Sequence, residues 1–256
     1  MRWRAEALEQ LLLPAECLLC HAMFSFEHAS RLVCDVCRHR WRAVRPPWCA
    51  RCGQPEPLFG ACRLCADWPS CLIHVRSAVW LDSDGRTAVH ALKYGGLPRI
   101  AEQLADAMAR LEVPGADSSW LVPVPLGPKR QRRRGYNQSE RLARALARRW
   151  RRPVVELLAR TRETATQTAL TPDARLANVA GAFETRNAEV GTRNGRTCEG
   201  SAYRVPSSAF ERPLILVDDV FTTGATVAEA ARALERAGAR TVLAVTFGRA
   251  VIPDFT

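Results

Sequence analysis

The sharpest hydrophobic pattern lies near the end of the chain. Leu214–Val217 is a continuous apolar run of four residues, as in a strand covered on both faces. A short polar turn follows. Val227, Ala230, Ala231 and Leu234 then recur at helical spacing and predict a helix over 225–237, stopped by Gly238. Thr241–Phe247 is the next strand-like run. Strand, helix and strand in this order form a βαβ unit, with parallel strands and a right-handed crossover. Upstream, Ser77–Leu81 and Trp120–Pro125 read as strands. Arg86–Tyr94 predicts a short helix stopped by Gly95 and Gly96, and Leu97, Ile100, Leu104, Met108 and Leu111 predict a second over 97–111. Leu142, Leu146 and Trp150 are the apolar stripe of a helix over 137–150, and Asn137 with Glu140 at its start resembles a capping box. The fold class is therefore α/β, with a parallel sheet flanked by helices.

The pattern divides the chain. Residues 1–75 hold all the paired cysteines and many turn residues, with helical periodicity confined to the first dozen positions. This zone reads as a cysteine-rich module, and residues 76–256 as the α/β domain. Within the latter, residues 187–212 have no apolar period and are rich in Gly, Ser, Asn and Arg, as in a long flexible insertion. No apolar run approaches the roughly 20 residues that a membrane helix needs. The run Leu11-Leu12-Leu13 is too short for a signal-peptide core, so the expected location is cytoplasmic.

Charge adds a partner class. The formal net charge is +11, almost all of the positive charge is arginine, and lysine occurs only at 93 and 129. Between Lys129 and Arg152 there are eleven Lys/Arg residues and one acid, Glu140. Such a stripe suits an anionic partner, either phosphate groups or nucleic acid; a solvated helix face is the alternative.

Ten cysteines in a cytoplasmic chain argue against a disulfide framework. Eight form C-x-x-C pairs: Cys17/Cys20, Cys34/Cys37, Cys49/Cys52 and Cys62/Cys65. This knuckle brings two thiolates to one tetrahedral metal, and the spacing between pairs fits zinc ribbons. Sequential pairing gives two structural Zn²⁺ sites. Crossed pairing, a single occupied site and redox dithiols are the alternatives.

The turn after the apolar run carries the candidate chemistry: Asp218-Asp219-Val220-Phe221-Thr222-Thr223-Gly224-Ala225-Thr226. Amide groups at a helix N-terminus hold phosphate, threonine hydroxyls add donors, and Gly224 lets the backbone come close. Two adjacent carboxylates at a strand end suit the vicinal hydroxyls of a ribose. A second anion-binding segment follows Trp120–Pro125, where Lys129, Arg130 and Arg134 converge on a capped helix start.

These residues carry a resemblance. Residues 214–226 resemble the motif of type I phosphoribosyltransferases that binds 5-phosphoribosyl-1-pyrophosphate (PRPP). Pro123-Val124-Pro125, Lys129-Arg130 and Arg134-Gly135-Tyr136-Asn137-Gln138 resemble the signature of the ComF/GntX group of competence-associated phosphoribosyltransferase-like proteins. Leu92-Lys93-Tyr94-Gly95-Gly96 resembles its L-K-Y-x-G segment, and Thr164, Gln167, Leu170, Arg175, Asn178 and Phe183 its downstream pattern. The resemblance implies a type I phosphoribosyltransferase fold behind a double zinc ribbon. It assigns the ribose hydroxyls to Asp218 and Asp219 and the 5′-phosphate to Thr222, Thr223, Gly224, Ala225 and Thr226. It assigns the pyrophosphate side to Lys129, Arg130, Arg134, Gly135, Tyr136, Asn137 and Gln138, and a mobile hood to residues 160–185. The implied partners are PRPP with Mg²⁺, single-stranded DNA and DNA-uptake proteins. The implied reaction is phosphoribosyl transfer; no catalytic base and no acceptor can be read. The alternative is a non-catalytic DNA-binding protein that keeps the fold.

Overall fold

The computed structural model describes residues 15–55, 62–162, 179–186 and 210–250. The helical pattern of the first dozen residues lies outside them, as do Thr164, Gln167, Leu170, Arg175 and Asn178 of the expected hood and residues 187–209 of the expected insertion.

In chain order the elements are α1 (Asp35–Arg40), β1 (Leu72–Trp80), α2 (Ser83–Tyr94), α3 (Ile100–Met108), β2 (Trp120–Pro123), α4 (Pro128–Arg134), α5 (Gln138–Trp150), β3 (Leu158–Arg160), β4 (Phe183–Thr185), β5 (Leu214–Phe221), α6 (Ala225–Arg236) and β6 (Val242–Arg249). Four strands make a parallel sheet in the order β1-β6-β5-β2. Leu121 of β2 also takes backbone hydrogen bonds with Pro153 and Val155, both 2.9 Å, which extends that edge. β3 and β4 pair antiparallel as a separate ribbon, the described root of the expected hood.

Alternation along the buried strands feeds two cores. Ile215 and Val217 of β5, with Leu243 and Val245 of β6, pack with α2, α3 and α5 on one face. Leu214 and Leu216, with Val242 and Ala244, pack with α6 on the other. Leu142 and Leu146 of α5 are fully buried, each contributing about 2 kcal/mol by transfer from water. The cysteine module straddles the sheet. Cys17 and Cys37 join the first core, and Cys52 and Cys65 the second. Between them residues 42–44 run along β1, through an antiparallel bridge from Ala43 to Val79 and a bond from the Trp80 amide to the Arg42 carbonyl (2.8 Å). This covers the sheet edge that β1 would otherwise expose.

Four features differ from the sequence reading. β1 begins at Leu72, so the strand crosses the expected boundary at residue 75. β5 continues through both aspartates to Phe221 rather than ending at Val217, because its ladder to β6 runs on through Asp218–Thr246 and Phe221–Arg249. Residues 128–134 form a helix that hydrophobic periodicity does not predict; none of its residues is buried, and Pro128 at its start supplies the preset φ. Finally, Asn137 caps α5 by accepting from the Ser139 amide (3.1 Å), but Glu140 bonds Arg144 (2.8 Å) instead of closing a capping box.

Candidate phosphate site and cysteine clusters

Asp218 and Asp219 sit at the C-terminal end of the central strand, only 8% and 3% exposed. They are not lost in an apolar interior. Ser139 Oγ donates to Asp218 Oδ1 at 2.8 Å, and the Asp219 amide donates to the same oxygen at 2.9 Å. Lys93 Nζ lies 2.9 Å from Asp219 Oδ1. Asp219 Oδ2 is buried and has no hydrogen-bond partner among the described residues, so one acceptor of the pair is unspent. Burial, and then the neighbouring Asp219 charge, push the Asp218 carboxyl up to about 7, with Lys93 and Ser139 opposing.

The loop after β5 is short. Gly224 takes φ +78° and opens α6 with no side-chain cap on the helix. Thr223 is buried, and its Oγ1 accepts weakly from the Ala225 amide (3.4 Å). Thr222 and Thr226 are half-buried at either end of the bend. Gly224 offers no side-chain cap, so the partial positive charge of the α6 start is directed at the bend, a setting suited to an anion.

Three sequence segments meet here. The Val124 amide donates to the Val217 carbonyl (3.0 Å), and Asn137 Nδ2 donates to the Val124 carbonyl (3.1 Å), so Pro123–Pro125 is stitched beside the end of β5. The Tyr136 hydroxyl donates to the Leu92 carbonyl, and the Arg134 guanidinium lies 5.2 Å over the Tyr94 ring while bonding Gln138. Residues 92–94, 134–139 and 218–219 thus form one connected cluster. Gly135 ends α4 at φ +80°. Lys129 is exposed and Arg130 half-buried on α4, near the other end of that segment. Lys93 and Ser139 are the site residues that sequence reasoning missed as partners of the acids. Lys93 stood only in a motif, although its being one of two lysines in an arginine-rich chain was a signal.

Beside this cluster a groove of about 530 Å³ opens between Pro125, Leu126, Arg132 and Gly135 on one side and Arg160 and Arg186 at the β3–β4 ribbon on the other. The basic stripe of the sequence divides here. On α5, Arg144 pairs with Glu140, Arg148 with Glu102, and Arg149 with Glu102 and Asp106. On α4, Arg132 and Arg133 are exposed.

The paired cysteines gather as two clusters, Cys17/Cys20/Cys34/Cys37 and Cys49/Cys52/Cys62/Cys65, with all sulfurs of a cluster within 4.8 Å of one another. Sulfur separations of 3.7 Å (Cys20–Cys34, Cys49–Cys65) and 3.5 Å (Cys52–Cys62) approach the edge of a tetrahedron with metal–sulfur bonds of about 2.3 Å. Backbone amides of Cys34 and Cys37 point at sulfurs of the first cluster, at 3.3 and 3.5 Å. The donor set is that of structural Zn²⁺, in the sequential pairing. Four thiolates leave no open coordination position for catalysis. No helix among the described residues is long and apolar enough to cross a membrane.

Comparison with known proteins bears on both parts. Residues 8–67 match the double zinc ribbon domain family. The DNA utilization protein YhgH of Escherichia coli O6:H1 is 31% identical over 244 residues, 91% of this chain and 96% of its own. The competence protein ComFC of Bacillus subtilis is 28% identical over 239 residues, 87% of this chain and 89% of its own. Competence protein F of Haemophilus influenzae is 26% identical over 240 residues, 85% and 90% of the two chains. A match of this identity along nearly the full length of both chains means that this chain belongs to the ComF family, with YhgH and the competence proteins ComFC and F.

Proposed function

We propose that this protein binds PRPP with Mg²⁺ at the Asp218–Thr226 loop and acts in the uptake or use of DNA. The carrying observation is the carboxylate pair near the strand end, with one buried unsatisfied oxygen, just before a helix start that opens at left-handed Gly224. The aspartates take the ribose hydroxyls, the bend takes the 5′-phosphate, and the basic segment around Arg134 takes the pyrophosphate with its Mg²⁺. Lys93 holds Oδ1 of Asp219 and leaves its Oδ2 for a sugar hydroxyl. The names of the relatives, DNA utilization and competence, support the DNA context. Equilibrium dialysis with PRPP and Mg²⁺, competed with ribose 5-phosphate and with pyrophosphate, tests the reading. Competition by both is expected; competition by neither, or no PRPP retained, removes it. Pyrophosphate release in the same samples, with nucleobases added, separates phosphoribosyl transfer from binding alone.

A second reading has its own support. α4 carries Lys129, Arg130, Arg132 and Arg133 with no residue buried, a geometry suited to the backbone of single-stranded DNA. The two readings share α4, where Lys129 and Arg130 also belong to the pyrophosphate segment; Arg132 and Arg133 are the residues that only the DNA reading uses.

A further inference from the structure

The second cysteine cluster is built into the bend that follows β5. Gly224 lies so close to Trp68 that a Cβ there would stand 2.4 Å from Trp68 Cζ2 and 2.9 Å from Phe221 Cε2. Trp68 is buried three residues beyond Cys65 and meets the Phe221 ring edge-on at 6.0 Å. Its backbone is fixed from inside the same module. Arg51, between Cys49 and Cys52, donates to the carbonyls of Cys65 (2.9 Å), Trp68 (3.1 Å), Pro69 (2.7 Å) and Leu72 (3.0 Å).

Arg249 also packs on Phe221. Its guanidinium lies 4.3 Å over the ring and donates to the Cys52 carbonyl (2.8 Å) and to Gln54 Oε1 (2.7 Å). Arg249 is 1% exposed. Arg76, 8% exposed, donates to the Ala50 and Val75 carbonyls beside the same cluster. Among the described residues neither guanidinium meets a carboxylate. A buried charge requires a counter-charge. Zinc held by four thiolates carries a net formal charge of about −2, which two arginines balance. Among the described residues the first cluster has no comparable link to the bend: it packs on α3, through Gln103 and the Arg38–Asp106 pair (2.7 Å).

We propose that the second cluster, Cys49/Cys52/Cys62/Cys65, is the positioning element of the ligand loop, acting through Trp68 and Arg249 on Phe221 and Gly224. Metal at this cluster sets the order of residues 222–226, whereas metal at the first cluster does not. The proposal rests on the phosphate reading only for the meaning of the loop, not for the coupling itself.

Hydrogen exchange of the 222–228 amides, read by mass spectrometry on the full chain without ligand, tests it, with zinc counted in the same samples by native mass spectrometry. Cys65→Ser is expected to lose one zinc and to raise exchange in this segment about tenfold. Cys20→Ser is expected to lose one zinc and to leave it unchanged. Trp68→Leu keeps all eight ligands; it should retain both metals and still raise exchange about tenfold, with Trp68→Phe restoring the wild-type rate. If Cys65→Ser does not fold, the Trp68 pair decides. Wild-type exchange in Trp68→Leu, or an equal rise in Cys20→Ser, overturns the proposal. Failure of the wild type to bind PRPP would remove the functional reading and leave this coupling intact.

Discussion

Lys93 Nζ stands 2.9 Å from Asp219 Oδ1, joining the end of α2 to the end of the central strand. The lysine side chain is 23% exposed and the aspartate 5%, so water screens the pair poorly. Removing one partner of a buried pair strands the other charge. Lys93→Met should destabilise the fold by about 3 kcal/mol, read as a lower denaturant midpoint. Lys93→Met with Asp219→Asn should recover much of that loss, because no charge is then left buried. A double variant no more stable than the single one would show that the pair is incidental.

Asp218 sets a pH dependence with a defined sign. Its carboxyl is raised from the ordinary 3.8 to about 7, so between those values the folded state holds a proton that the unfolded state has lost. Stability therefore falls as pH rises through this window and levels above about 7. Asp218→Asn removes the cost of the buried charge. It should raise the Tm at pH 8 by roughly 2–4 °C and flatten the pH profile. Ligand affinity should move oppositely in the wild type, weakening as pH drops below about 7, since ribose hydroxyls need the ionised acceptor.

The grouping of the eight cysteines predicts two independent metals. Native mass spectrometry should find two zinc ions in the wild type and one in each of Cys17→Ser and Cys52→Ser. Loss of both from either variant would indicate a shared site.

The two halves of the basic stripe should behave differently. Arg132→Ala with Arg133→Ala should weaken single-stranded DNA binding and reduce the slope of log affinity against log salt by about 1–2. Arg148→Ala with Arg149→Ala should chiefly lower stability, because these arginines hold Glu102 and Asp106 on α3. Equal salt slopes for both pairs, measured by fluorescence anisotropy, would contradict the division.

Local pattern carried much of this molecule. The β5–α6 unit and its glycine bend are set by contiguous residues, so spacing alone exposes them; spacing also exposes the four cysteine pairs, while the fold decides that they group sequentially rather than crossed. α4 escaped because a helix with no buried face has no hydrophobic period; its only marks are Pro128 at the start and Gly135 at the end. β5 ran past its apolar core because pairing to β6, not side-chain character, keeps Asp218 and Asp219 extended. The Lys93–Asp219 pair and the Trp68–Gly224 contact join segments far apart in sequence, and no spacing encodes them. The roles assigned to the 218–226 residues remain those that the resemblance implied, now attached to a geometry.

The central claim is that the bend behind the aspartates grips a sugar phosphate. Isothermal titration of the 256-residue chain with PRPP and Mg²⁺ at pH 8 tests it most directly, beside Asp219→Asn checked for a wild-type fold by circular dichroism. Saturable one-to-one heat in the wild type, weakened at least about tenfold by the substitution, is the predicted result. A folded wild type that releases no heat, or a variant that binds as the wild type does, contradicts the claim.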